Sequence, residues 1–306
     1  EELPPRISPF ACRGRTRRLR FYKYMGRMRL MELLEDSTKR LANGVEMPRL
    51  GLGVYKMTEP EVALEAITYA LESGYRHIDT ASLYANEREV GEAIRTSGIS
   101  RKEIFVTTKV WNTDQGYDQT LRAFEKSLEL LGMDYVDLYL THWPVAESYI
   151  DTYRAIERLY EEKLIRATGV SNHNQHHLEA IAAKANIKPM VNQIECHPRL
   201  TQYDLREYCA SEDIAVTSWS PLARGRLLEE PTLARISAKY GKSTAQVIIR
   251  WHLQHDLIVI PKSITPERIH ENFDVFDFEL SFEDVKNIDA LNLNERTGAD
   301  PDNFSF

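Results

Sequence analysis

The sequence predicts an α/β fold: a (β/α)8 TIM barrel with an N-terminal β-hairpin and extra C-terminal helices. Three observations lead there. Eight short β-like runs alternate with segments of helical period from residue 50 onward, and such alternation builds a parallel sheet. Eight units in ~250 residues is the length of a closed barrel. No G-x-G-x-x-G follows the first run, where the chain reads Gly51-Leu-Gly-Val, and this counts against a doubly wound dinucleotide-binding sheet.

The elements follow in chain order. Residues 1–30 carry nine Arg and Lys against Glu1 and Glu2, a local charge of +7. They hold no apolar h-region, so they do not read as a secretory signal. Their Arg-rich, acid-poor composition is compatible with a transit peptide or a nucleic-acid-binding arm. The preferred reading is a dispensable extension outside the fold, with Met31 as a natural start and 31–306 as one barrel domain. Asn43-Gly44 between short flanks signals the hairpin. The β-like runs are 50–54, 77–80, 104–110, 136–140, 167–170, 190–194, 215–219 and 257–260. Helical period is found in 61–72, with Val62, Ile67, Ala70 and Leu71 as one face. It recurs in 117–131, 149–160, 175–184, 202–211, 231–240 and 244–254. Thr58, Ser171 to Asn174, and Ser243 offer cap chemistry at helix starts.

Composition narrows the function classes. The 306 residues are 42% apolar and 28% charged, with 14 Gly and 13 Pro. This excludes collagen-like, low-complexity and disulfide-dense chains. No apolar run is long enough to span a membrane. Net charge is −7, so the body without its basic start is near −14. Broad nucleic-acid binding is not expected of such a body, and an anionic ligand needs a local basic cluster. Cys12, Cys196 and Cys209 are an odd set, which suggests a reducing, cytoplasmic setting.

Catalytic groups of a (β/α)8 barrel sit at the C-terminal ends of its strands. Those ends read Asp79-Thr80, Lys109-Val110-Trp111, His142-Trp143, Ser171-Asn172, Gln193, Trp219-Ser220 and Lys262-Ser263, with Tyr84 after the second strand. Asp, Tyr, Lys and His converging on one rim suggest acid–base chemistry. A phenol is a weak acid at neutral pH. An ammonium ~4 Å away at an effective dielectric of ~20 is worth of order 4 kcal/mol, about three pKa units. Lys109 is therefore expected to bring Tyr84 toward the working range, with Asp79 holding Lys109 and His142 orienting a substrate oxygen.

These residues resemble the aldo-keto reductase superfamily. The resemblance runs over about 39–306, in seven blocks that keep the family's order. They include Gly-Tyr-Arg-His-Ile-Asp-Thr-Ala-Ser-Leu-Tyr at 74–84, Phe-Val-Thr-Thr-Lys-Val-Trp at 105–111, Asp-Tyr-Val-Asp-Leu-Tyr-Leu-Thr-His-Trp-Pro at 134–144 and Ile-Pro-Lys-Ser-Ile-Thr-Pro-Glu-Arg at 260–268. The pattern is most similar to the microbial branch with 2,5-diketogluconate reductases, prostaglandin F synthases and glyoxal or methylglyoxal reductases.

The resemblance implies NADPH-dependent reduction of aldehydes and ketones, with catalytic Asp79, Tyr84, Lys109 and His142. It implies that Ser171, Asn172 and Gln193 bind the nicotinamide carboxamide and that Trp219 stacks on the ring. Ser220 and Leu222 would follow the pyrophosphate. Lys262, Ser263 and Arg268 would take the 2′-phosphate, and Glu271 and Asn272 the adenine. The residues support the phosphate assignment independently, because Lys262 and Arg268 bracket a helix start at Thr265-Pro266, where N–H groups favour an anion. Tyr55, Trp111, His142 and Trp143 would line the substrate pocket. The short connection at 143–149 and the short segment after Leu293 imply a shallow pocket for small aldehydes and ketoaldehydes. A monomer without membrane or nucleic-acid partner is expected.

Other readings stand beside this one. A nicotinamide-binding sensor with little turnover would share the cofactor residues. A cofactor-independent isomerase or aldolase would make Lys109 a Schiff-base candidate. His173, His176 and His177 share helical spacing, but no Cys or carboxylate completes a ligand set, so no metal is expected. Cys196-His197 is not expected to be a nucleophilic pair, because adjacent strand residues face opposite ways.

Overall fold

The structure, a computed structural model, describes residues 37–306. The expectations for residues 1–30, for Met31 and for Cys12 lie outside the described residues. Thr38–Phe306 packs as one compact unit.

Strands β1 (Thr38–Arg40) and β2 (Glu46–Pro48) pair antiparallel, Thr38 opposite Pro48. The hairpin is where Asn43-Gly44 predicts it, but its turn differs from a two-residue Asn-Gly turn. Leu41 O accepts from Gly44 N at 2.8 Å and Leu41 N donates to Val45 O at 2.9 Å. Only Gly44 has a positive φ, +85°. This is a longer turn closed by one left-handed glycine. Leu41 and Met47 are buried and pack with barrel residues Phe105, Leu138, Leu140 and Val191. The hairpin therefore contributes to the barrel core.

Among the described residues eight parallel strands follow: β3 (Leu52–Gly53), β4 (His77–Asp79), β5 (Phe105–Val110), β6 (Val136–Thr141), β7 (Ile165–Ser171), β8 (Val191–Glu195), β9 (Ala215–Trp219) and β10 (Ile258–Val259). They pair in sequence order. Leu50 bridges Val259 in parallel. Gly51 N and Gly53 N donate to Val259 O and Pro261 O at 2.9 and 3.1 Å. These bonds close the sheet into the expected barrel. Each of the eight predicted runs coincides with one strand, to within a few residues.

The helices that wrap it include Pro60–Glu72, Tyr117–Leu131, Tyr149–Glu161, Gln175–Ala182, Tyr203–Ser211, Pro231–Tyr240 and Thr244–Gln254. The first of these buries Ala63, Ala66, Ile67, Ala70 and Leu71. Val62 is exposed, a correction to its predicted place on that face. Capping boxes open the helices at Asn174 (with His177) and at Ser243 (with Gln246). Thr58 does not cap: Glu59 is the N-cap without a side-chain bond, and Pro60 opens the helix. Helix Glu87–Thr96 has no counterpart among the predicted segments, because only Val90, Ala93 and Ile94 supply an apolar face within it. Pro266–Phe273 and Phe282–Asp289 are the expected C-terminal helices.

Candidate active site

The last residue of β4 and the fifth of β5 form the centre. Lys109 Nζ donates to Asp79 Oδ1 at 2.6 Å and to Thr80 O at 2.8 Å. Asp79 Oδ2 accepts from Gln193 Nε2 at 2.6 Å. Both charges are essentially inaccessible to water. A buried ion pair is tolerable only when its remaining bonding capacity is met, and Thr80 and Gln193 meet it here. Burial nevertheless pulls the Lys109 ammonium below its ordinary pKa, against the opposing pull of Asp79.

Tyr84 ends a short 3-10 turn, Ser82–Tyr84. Asn86 moors this turn. Its Nδ2 donates to Val54 O and Met57 O at 2.9 and 3.2 Å, and its Oδ1 accepts from Thr80 Oγ1 at 2.7 Å. The same amide thereby steadies the loop that carries Tyr55. Lys109 Nζ lies 5.1 Å from the Tyr84 ring centroid. Tyr55 stacks obliquely on that ring at 4.9 Å, and His142 meets it edge-on at 5.7 Å.

The Tyr84 pKa is pushed well above the ordinary phenol value, by burial first and then by Asp79 and Tyr55. This reverses the expectation that Lys109 lowers it. The ammonium is bonded to a carboxylate, so its pull on the phenol does not offset burial and the Asp79 charge. Tyr84 is therefore held in its protonated form. His142 follows β6, and its backbone N–H donates to Val110 O at 3.2 Å. Burial, then the Lys109 charge, depress its pKa well below the usual imidazole value. It is a neutral hydrogen-bonding group.

Around this centre lies an amide network. Asn172 adopts a left-handed φ of +62°. Its Nδ2 donates to His142 O and Ser171 Oγ at 3.0 and 3.1 Å, and its Oδ1 accepts from Trp219 Nε1 at 2.8 Å. Ser171 Oγ donates to Gln193 O at 2.9 Å. Ser171, Asn172, Gln193 and Trp219 are thus brought together. Gln193 Nε2 is already spent on Asp79, which leaves its Oε1 for a further donor. Ser220 and Leu222 follow on the β9 loop, half-buried.

Lys262 and Arg268 are exposed, and neither has an ion-pair partner among the described residues. Ser263 Oγ accepts from Thr265 N at 3.1 Å. Helix Pro266–Phe273 starts there without a side-chain cap. Two cations without an ion-pair partner among the described residues, near uncapped N–H groups in sequence, are an arrangement that favours an anion. Asn272 is buried and Glu271 half-buried on the same helix.

Further aromatic residues pack against two of the residues expected to line the pocket, Trp111 and Trp143. Trp111 meets His142 at 5.0 Å and stacks on Phe306 at 5.8 Å with the planes 6° apart. Trp143 meets Phe304 and Phe306 at 5.1 and 5.2 Å. Short though it is, the C-terminal segment packs against Trp111 and Trp143, so shallowness does not follow from its length. A cavity of ≈ 630 Å³ is lined by Val145, His177, Asp302, Phe304 and Phe306 among others, and by none of the four predicted pocket residues.

Asp302 also revises the histidine reading. It brings a carboxylate to His176 and His177, 3.3 and 3.6 Å from their Nε2 atoms. A ligand set absent from the local sequence thus exists in space. Yet His177 Nδ1 accepts from Asn174 N at 3.1 Å, which puts the ring proton on Nε2 and removes it as a neutral donor to a cation. His173 is buried edge-on against His177 at 5.7 Å and bonded through Nδ1 to Ser171 O, outside that ligand set. Cys196 and Cys209 are free buried thiols.

Phe304, Phe306, Asn86 and Asp302 escape sequence reasoning. Their partners are remote in sequence, and only Asn86, two residues from Tyr84, gave a local signal.

The model of the Aldo/keto reductase family matches residues 49–293. A glyoxal reductase of Bacillus subtilis is 56% identical over 273 residues, covering 89% of this chain and 99% of its own. A crystal structure of an aldo-keto reductase from a Medee basin deep-sea metagenome library superposes with a TM-score of 0.85 at 49% identity, covering 88% of this chain and 100% of the other. A mutant of Gox0644 solved in complex with NADPH gives 0.84 at 43% identity, covering 88% and 98%. This chain belongs to the aldo/keto reductase family.

Proposed function

We propose that this NADPH-dependent oxidoreductase reduces small aldehydes and ketoaldehydes such as methylglyoxal to alcohols, with Tyr84 as proton donor. The observation that carries the reading is the buried Lys109–Asp79 pair set against a protonated Tyr84 and a neutral His142. Likeness to a glyoxal reductase supports the substrate class.

The residues fit the cofactor. Lys262 and Arg268 supply unpaired charge for a 2′-phosphate, Ser263 and the helix start add donors, and Ser220 and Leu222 border the path between. Asn272 and Glu271 lie where the same helix can take the adenine. Gln193 Oε1 and the second lone pair of Asn172 Oδ1 can accept the carboxamide N–H bonds, and Trp219 offers its face to the ring.

When bound, NADPH supplies the hydride that forms the new C–H bond. The chain's residues do the rest. His142 donates its one N–H to the carbonyl oxygen and aims the carbon. The carbonyl π pair moves onto oxygen, and Tyr84 gives its proton there. Lys109 steadies the resulting phenolate, and Asp79 keeps Lys109 in place through both states. The raised pKa of Tyr84 ensures that the proton is present before reaction. Tyr55, Trp111 and Trp143 exclude water from the reacting atoms. The enzyme would work as a cytoplasmic monomer, in keeping with its free thiols.

The test is NADPH consumption with methylglyoxal, comparing the protein with Tyr84→Phe. Turnover that collapses while NADPH still binds supports the proposal. Undiminished turnover in the variant would show that Tyr84 is not the acid, and tight NADPH binding without turnover by either protein would favour a sensor.

A further inference from the structure

Glu195, the last residue of β8, is a fully buried carboxylate with no part in the chemistry above. Its Oε1 accepts from Thr297 N at 2.7 Å, from Gly298 N and His197 Nε2 at 3.2 Å, and from the Thr297 hydroxyl. Its Oε2 accepts from Gly298 N at 3.1 Å. A buried charge with this many donors binds them firmly, because losing any one leaves part of the charge unsolvated. Burial alone would raise its pKa, but the bonds from His197, Thr297 and Gly298 outweigh it and the net direction is down. The C-terminal segment is thus tied to the end of β8 about a hundred residues upstream.

Glu195 is also the register partner of Trp219 on β9. The clamp brings Gly298 so close to the indole that a Cβ there would lie 2.4 Å from Trp219 Cη2 and 3.2 Å from Cζ3. The indole is therefore held on two edges: Asn172 Oδ1 takes its N–H, and Gly298 abuts its six-membered ring. Asn172 is in turn bonded to the backbone of His142.

We infer that Glu195 and Gly298 are positioning residues for hydride transfer, the carboxylate clamping the C-terminal segment so that Gly298 braces the indole of Trp219 at the angle the nicotinamide needs. The inference rests on the reading of Trp219 as the nicotinamide platform. A misplacement of 1 Å at a reacting centre can cost about a hundredfold in rate, so a tilted platform is a kinetic defect before it is a stability defect.

The experiment is a double-mutant cycle between Gly298→Ala and Trp219→Tyr, read in kcat with methylglyoxal, in NADPH Kd and in melting temperature. Gly298→Ala should lower kcat about tenfold or more, with little change in melting temperature. In the Trp219→Tyr background the same alanine should cost at most about twofold, since a single ring lacks the Cη2 and Cζ3 edge that collides. Such coupling marks contact through the ring. Glu195→Gln keeps the shape and one acceptor oxygen but releases the charge. It should reproduce the kcat loss partially, and it serves as the readout if Gly298→Ala does not fold.

Equal alanine costs in both backgrounds, or a kcat loss that only tracks the lost folded fraction, overturn the inference. So does unchanged kcat in both Gly298→Ala and Glu195→Gln. If Trp219→Tyr and Trp219→Ala both leave kcat and NADPH Kd unchanged, the platform reading itself has failed, and that result is distinct from failure of the clamp.

Discussion

Two lysines put the same side chain to opposite uses. Lys109 is inaccessible, and its Nζ is spent on Asp79 and Thr80. Lys262 stands exposed just before Pro266–Phe273, without an ion-pair partner among the described residues. The first charge is organised before any ligand arrives, and protein bonds satisfy it. The second is left to solvent, which the 2′-phosphate proposed above would displace. Buried charge therefore couples catalysis to stability, whereas exposed charge couples binding to ionic strength.

The largest expected effect comes from breaking the buried side of this contrast. Lys109→Met leaves Asp79 buried and unpaired, at a cost of about 3–5 kcal/mol in unfolding free energy. It also removes the group that steadies the Tyr84 phenolate, and we expect kcat with methylglyoxal to fall by about a thousandfold or more. The double variant Asp79→Asn with Lys109→Met should regain much of the stability, because no lone charge remains buried, and none of the activity. Urea unfolding together with steady-state kinetics separates the two. Recovery of activity along with stability would show that the pair is only structural.

Burial has a second consequence, for pH. Burial pushes His77 down to about 4, and His173 and His252 to about 3. Unfolded imidazoles titrate near 6.5, so their contribution is fully present above that value and is lost as pH falls through 6.5 toward 3–4. At pH 5 each should cost about 2 kcal/mol. Unfolding midpoints at pH 7.5 and pH 5 test this, and equal midpoints would contradict neutral burial. His142 should stay neutral over the same range, so the kcat of the folded enzyme should not fall on its account.

The buried half of the comparison was legible in the sequence. Asp79, Lys109 and His142 stand at or just past strand ends, and strand ends follow from period and breakers alone. Tyr84 lies five residues past Asp79. The direction of the Tyr84 shift was not legible, because it depends first on how deeply the phenol is buried and then on the nearness of Asp79 and Tyr55. Helix Glu87–Thr96 offers too few apolar residues to show a period, and the hairpin signalled by Asn43-Gly44 is present, with Gly44 alone taking a positive φ in its turn. The C-terminal segment was unreadable for a deeper reason. Phe304, Phe306, Asp302 and Gly298 act through partners from Trp111 to Trp219, and no local period announces such pairings.

The exposed half predicts a smaller, salt-dependent effect. Lys262→Met should raise the KM for NADPH about tenfold, the scale of one charge-assisted bond, and leave the KM for NADH nearly unchanged. Raising ionic strength should weaken NADPH binding by the parent protein more than by the variant. An equal rise for both cofactors would move Lys262 off the 2′-phosphate.

The smallest expected effect tests the C-terminal wall, which belongs to neither extreme. Phe306 stacks on Trp111, and its carbonyl accepts from Asn112 Nδ2 at 3.0 Å. Phe306→Ala removes the ring but keeps that backbone bond. The loss of one aromatic face at a half-exposed site is worth about 1 kcal/mol, so KM for methylglyoxal should rise only a few-fold. The rise should be larger for a small aromatic aldehyde, which would use the ring face directly, while kcat and NADPH Kd hold steady. If KM for both substrates is unmoved, Phe306 covers Trp111 without touching substrate, and the pocket ends at the indole. If kcat falls instead, the segment is coupled through Gly298 to Trp219, and its two contacts with the site act as one.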